Sequence, residues 1–103
     1  MASDRGYLEF IMDQLSGAPD VSYRAMMGEF IIYCGGKVVG GIYDNRFLVK
    51  PTASAKRMMP GAPCEIPYEG AKEMLLADNV DDRDFLTELV AAVAADLPEK
   101  RGK

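Results

Sequence analysis

Seven polar residues of this chain have side chains suited to acid–base chemistry or ligand recognition: Tyr23, Arg24, Glu29, Tyr43, Lys50, Tyr68 and Glu69. A carboxylate beside a lysine, arginine or tyrosine can move protons at neutral pH once burial shifts its pKa toward neutrality. The same side chains also suit cross-strand pairs and turn contacts, and that plainer reading holds unless they converge on a pocket. The sequence contains no histidine. This excludes Ser-His-Asp and Cys-His nucleophiles and every zinc site that needs an imidazole.

Other signatures also fail on spacing. Gly36-Lys37-Val38 lacks the Ser or Thr of a phosphate-binding loop, and Ile31 stands where the first glycine of that motif belongs. Gly35, Gly36, Gly40 and Gly41 do not fit a dinucleotide-binding fingerprint. The acidic run 78–84 lacks the central glycine of a calcium loop, and its twelfth position is Leu89, so helix capping is the simpler role. No metal and no cofactor is expected. Cys34 and Cys64, the two cysteines, are spaced unlike a zinc motif and are expected to be free structural thiols. Met26-Met27 and Met58-Met59 are read as core fillers rather than as a binding surface.

These side chains must be positioned by 103 residues, 49% hydrophobic and 27% charged, which suits one globular domain. We place that domain at 1–97, with 98–103 as a disordered tail. The longest apolar run, 89–95, is far shorter than the roughly 20 residues of a membrane span. The start has no basic segment followed by an apolar one, so a cytoplasmic location is expected. The net charge of −4 is uneven: residues 1–60 balance at +1, and residues 61–97 at −7. Such an acidic half repels phosphates, so direct specific DNA binding by this domain is not expected.

The periodicity predicts an α+β fold, with an antiparallel sheet of about four to six strands, N-terminal and C-terminal helices, and a short middle helix. A helix over 4–15, capped by Ser3, carries Tyr7, Leu8, Ile11, Met12 and Leu15 on one stripe. The period then changes to two. Strands are expected at 21–27, 29–34, 37–43 and 46–50, with Gly28 as a corner or bulge. Gly35-Gly36 and Asp44-Asn45 make two-residue turns. A helix over 52–59 ends at Pro60-Gly61. Short strands follow at 64–66 and 73–77, although 71–77 also reads as helix. The last helix starts near Val80 behind Asp81, with Asp84 completing an imperfect capping box, and carries Phe85, Leu86, Leu89, Val90, Val93 and Leu97.

Uninterrupted pairing from these turns sorts the side chains into two faces. Ile31, Tyr33, Val38, Gly40, Ile42, Phe47 and Val49 form an apolar core face. The second face holds Phe30, Ile32, Val39, Gly41 and Leu48, rimmed by Cys34, Lys37, Tyr43, Arg46 and Lys50. An apolar patch with a basic rim must be covered by a helix or by a partner. Gly41 would let a partner approach closely.

The stretch Tyr23-Arg24-Ala25-Met26-Met27-Gly28-Glu29-Phe30, followed by Gly40-Gly41-Ile42-Tyr43, Phe47-Leu48-Val49-Lys50-Pro51 and Pro67-Tyr68-Glu69-Gly70, resembles the N-terminal domain of the TfoX/Sxy competence-regulator family. The resemblance runs over nearly the whole chain, to about Leu97. It implies an α+β domain built on an antiparallel sheet. It also implies a link to transcriptional control of natural competence, where family regulators act with the cyclic-AMP receptor protein. Longer members carry a second, helical domain C-terminal to the part matched here.

The sequence therefore leads to a non-enzymatic protein-interaction domain, accessory to transcriptional regulation, that meets a protein partner or a second copy through Phe30, Ile32, Val39, Tyr43, Arg46, Leu48 and Lys50. The alternative is a small-molecule-binding or weakly catalytic domain that uses Arg24, Glu29, Tyr68 and Glu69. No membrane partner is expected.

Overall fold

The computed structural model describes residues 4–18 and 20–98. The fold is α+β: among the described residues it has six antiparallel strands and three helices. In chain order these are α1 (Arg5–Gln14), β1 (Val21–Met26), β2 (Glu29–Cys34), β3 (Lys37–Tyr43), β4 (Arg46–Val49), α2 (Ala53–Met58), β5 (Cys64–Glu65), β6 (Met74–Leu76) and α3 (Arg83–Asp96). The sheet order is β1-β2-β3-β4-β6-β5, so β6 returns between β4 and the edge strand β5.

The turns follow the chemistry of their residues. Gly35-Gly36 and Asp44-Asn45 all take positive φ, as tight hairpin turns require. The hairpin between β1 and β2 is a correction. Met27 and Gly28, at φ 53° and 87°, form its two turn residues, so Met27 ends the expected strand instead of continuing it. The strand reading of 73–77 holds, because Met74–Leu76 pairs with both β4 and β5.

The helices cover one sheet face. Leu8, Ile11 and Leu15 of the first helical segment and Leu86, Leu89, Val90 and Val93 of α3 are buried there. Gln14 joins them by donating from Nε2 to the Val80 carbonyl at 2.8 Å. Ser3, the expected cap of α1, lies outside the described residues, as do residues 99–103 of the expected tail; Asp4 precedes α1 without a side-chain capping bond. At α3 the cap is Asp82 rather than Asp81, and its carboxylate accepts from the Phe85 N–H at 3.0 Å. Thr52 caps α2. Asp96 of α3 accepts from the Ser54 N–H at 2.7 Å, which ties the end of one helix to the start of another. Lys37 reaches from β3 to the last carbonyls of α3, donating to Ala94 at 3.0 Å and Leu97 at 3.3 Å. A cation suits that negative end of the helix dipole.

A bulge decides which residues face the helices. Tyr33 pairs with Val38, but Ile32 pairs with Gly40, so Val39 is the extra residue on β3. The expected pairing of Ile31 with Gly40 is replaced by Ile31 with Gly41. An extra residue shifts alternation by one, and every β2 side chain changes face relative to an uninterrupted ladder. Phe30, Ile32 and Val39, expected to meet a partner, are instead in the core beneath the helices. Ile31, Tyr33 and Val38, expected in the core, are half-buried on the opposite face. Ile42, Phe47 and Val49 remain in the core as expected.

Candidate functional site

The face away from the helices carries Arg24 and Met26 from β1, Ile31 and Tyr33 from β2, Val38, Gly41 and Tyr43 from β3, Arg46 and Leu48 from β4, and Leu76 from β6. Part of this face is closed by the chain itself. Leu48 is fully buried between its cross-strand neighbours Gly41 and Leu76, so it is not available to a partner. Arg46 is committed internally: it forms an ion pair with Glu65 of β5 and donates from Nε to the Tyr43 carbonyl at 3.1 Å. The space above Gly41, expected to admit a partner, is filled by the ring of Tyr43. A Cβ at Gly41 would lie 2.6 Å from Tyr43 Cε2 and 2.8 Å from the Phe30 carbonyl oxygen.

The β5–β6 loop lies against this face and places Tyr68 beside Tyr43, with ring centroids 5.9 Å apart. Together the two tyrosines divide a trough into two compartments. One, of about 490 Å³, is lined by Met26, Met27, Glu29, Tyr43 and Tyr68. The other, of about 390 Å³, has Tyr43, Tyr68, Pro67 and Met74 in its wall and the charged side chains of Lys50, Lys72 and Glu73 on it. Both volumes fall in the range of ligand pockets, roughly 300–1,000 Å³.

The electrostatics of the trough centre on Tyr43. Burial pushes its phenol above the ordinary value, and Tyr68, Glu29 and Tyr33 push the same way. The hydroxyl therefore stays protonated at neutral pH and serves as a neutral hydrogen-bonding group rather than as a base. Glu29 Oε1 accepts from the Asp44 N–H at 3.2 Å, which holds the carboxylate against the neighbouring turn.

Of the residues named from sequence, Glu29, Tyr43, Lys50 and Tyr68 meet at this trough. Arg24 lies in a separate groove with Ser22, Tyr23, Tyr33 and Gly36. Glu69 is exposed on the β5–β6 loop. The polar set proposed for catalysis thus does not converge on one point. Sequence reasoning missed Met26 and Met27, which are not core: Met27 is 97% exposed at the lip of the trough. The available signal was the strand length, because a tight turn must consume both Met27 and Gly28. Met58 and Met59 do pack against the core, as expected.

Neither cysteine forms a disulfide; Cys34 is buried and Cys64 exposed. Burial pushes the Cys34 thiol up, Asp20 adds to this, and Lys37 only partly opposes it. It is therefore a protonated, unreactive thiol at neutral pH. Among the described residues no cluster of three or more His, Cys, Asp or Glu is placed to hold a metal ion. No described helix is long and apolar enough to cross a membrane.

No family model matches the chain. The chain is 36% identical over 105 residues to an uncharacterized 12.7 kDa protein in the trpE 5′ region of Spirochaeta aurantia. The match covers 97% of this chain and 91% of that protein. The chain belongs to the family of that protein. An alignment of this extent spans the helix-covered core and the trough alike.

Proposed function

We infer that the chain is a non-catalytic binding domain that receives a segment of a partner protein in the Tyr43–Tyr68 trough. The observation that carries this reading is Met27. It holds a positive φ of 53° without being glycine, and its side chain is 97% exposed. An L-residue in that conformation costs about 1–2 kcal/mol, and the exposed thioether gains almost no internal packing in return. A flexible, polarizable side chain beside two aromatic rings is well suited to gripping apolar groups of varied shape. Lys50 and Lys72 on the second compartment favour a segment with acidic residues on that side.

A place in the transcriptional control of competence-type genes is the role we propose from the resemblance to the TfoX/Sxy N-terminal domain. Tyr43, Lys50 and Tyr68, which carry part of that resemblance, are trough residues here. The compartment volumes give the small-molecule reading one specific support, but Arg24 lines a separate groove and Glu69 lines neither compartment.

A photoreactive phenylalanine analogue at Tyr68, 57% exposed, tests the reading in living cells, with the same analogue at exposed Glu88 of α3 as the control. The expected result is one discrete crosslinked protein from position 68 and none from position 88. A partner in the transcription machinery would support the competence role. Equal, diffuse labelling from both positions would refute the binding-domain reading.

A further inference from the structure

The two edges of the sheet are built differently. The β5 edge is two residues long, with Pro63 before it and Pro67 after it, so it offers almost no ladder for another strand. The β1 edge is six residues long and contains no proline, lysine or bulge; no strand pairs with its outer side among the described residues. From Ser22 to Met26 every residue is exposed. Natural sheets usually blunt such an edge, because its unpaired N–H and C=O groups template further pairing.

The outward-facing backbone groups can be assigned. The Asp20 carbonyl accepts from the Gly35 N–H across the β1–β2 ladder at 3.0 Å. Alternation in an antiparallel ladder then turns the backbone groups of Ser22, Arg24 and Met26 toward β2, and those of Val21, Tyr23 and Ala25 outward. The Tyr23 side chain does not screen this edge. Its ring packs edge-to-face on Phe30, at a centroid distance of 5.9 Å, and its hydroxyl accepts from Arg5 at 3.1 Å.

We propose that β1 pairs antiparallel with β1 of a second copy of this chain, about a two-fold axis at Tyr23. One register satisfies all three outward residues: Tyr23 faces Tyr23 of the second copy, and Val21 faces its Ala25. That register also sets Arg24 opposite Ser22 rather than opposite another arginine, so no like charges oppose each other within the strand. A two-fold axis makes the contact closed and isologous. The short, proline-flanked β5 edge disfavours the head-to-tail alternative, which would grow into fibres. The axis stands perpendicular to the joined sheet, so the two troughs open on the same side and a partner with two binding segments gains from effective concentration. Five residues of each β1 pair in this register, Val21–Ala25, which bury less than a standard interface, and the dimer is weak and concentration-dependent.

The inference rests on β1 alone and is independent of what the trough binds. Sedimentation velocity over a wide concentration series, with circular dichroism as the folding control, tests it. A reversible monomer–dimer equilibrium is expected. Ala25→Pro removes an outward N–H without touching the β1–β2 ladder, and should weaken the dimer by about tenfold or more. Ser22→Glu sets a carboxylate opposite Arg24 twice per dimer and should tighten it at least about twofold, whereas Ser22→Arg should weaken it by a similar factor. A protein that stays monomeric throughout, a dimer indifferent to Ala25→Pro in a folded variant, or Ser22→Glu and Ser22→Arg moving together would each overturn the proposal.

Discussion

Ile31 and Ile32 are adjacent on β2 and chemically identical, yet they belong to different regions. Ile32 is fully buried beneath α1 and α3, in a core where helices and sheet close on each other. Ile31 faces the other side, half-buried, near the trough that Tyr43 and Tyr68 divide. The helix-covered face meets its own packing demands: its apolar side chains interdigitate, and Lys37 and Asp96 complete the ends of the helices. The open face does not. It keeps Met26, Met27 and Tyr68 in solvent and holds Met27 in an unfavourable conformation. Stability is concentrated on one side of the sheet, and the surface set aside for recognition lies on the other.

The largest effect should come from placing a charge on either side of this divide. Ile32→Asp buries an unpaired carboxylate and should cost more than about 4 kcal/mol, enough to unfold a domain of this size. Ile31→Asp should cost about 1 kcal/mol and leave the fold intact. Urea denaturation of the two variants compares them directly, and similar midpoints would break the face assignment. Gly40→Ala probes the bulge that creates the assignment. A Cβ there would collide with the Leu48 carbonyl oxygen and lie 2.9 Å from Val49 Cα, so backbone rather than a movable side chain must give way. A loss of about 2 kcal/mol is expected in the same denaturation experiment.

The strands, two of the three hairpin turns and the helical stripes were legible because each rests on local chemistry, whereas the Met27-Gly28 turn was not. Gly35-Gly36 and Asp44-Asn45 tolerate positive φ, and Leu8, Ile11 and Leu15 recur at the helical period. The bulge was not legible. Val38, Val39 and Gly40 are all apolar or small, so an extra residue leaves no mark on the alternation. Its effect is nevertheless global, and it moved Phe30, Ile32 and Val39 from the expected binding face into the core. The burial of Leu48 was hidden for another reason: the insertion of β6 beside β4 is a long-range choice. Tyr43, Lys50, Tyr68 and Glu29 were identifiable as polar and aromatic residues flanking turns and strand ends, whereas Met27 was masked by its resemblance to a core residue.

Asp96 and Tyr43 should also titrate at opposite ends of the pH scale. Backbone and side-chain hydrogen bonds from Ser54 hold the Asp96 carboxyl below its usual value of 3.8. Its contribution is therefore present above the unfolded pKa and lost as pH falls through the lower folded value. Burial raises Tyr43 above 10.0, so its contribution is complete below the unfolded pKa and lost as pH rises through the folded one. Stability measured against pH should lose part of its acid slope in Asp96→Asn and part of its alkaline slope in Tyr43→Phe. Asp96→Asn should leave the alkaline limb unchanged and Tyr43→Phe the acid limb, and a variant that alters both limbs would contradict these two assignments.

Met27→Gly tests most directly whether the open face gives up stability for recognition. Glycine accepts φ 53° without strain, so the variant should gain about 1 kcal/mol in thermal or urea unfolding. In the same variant, photocrosslinking from position 68 should lose its discrete partner, because the exposed side chain at the lip of the trough is gone. A more stable domain with its crosslink abolished is the predicted result. A crosslink retained at full yield would contradict the account.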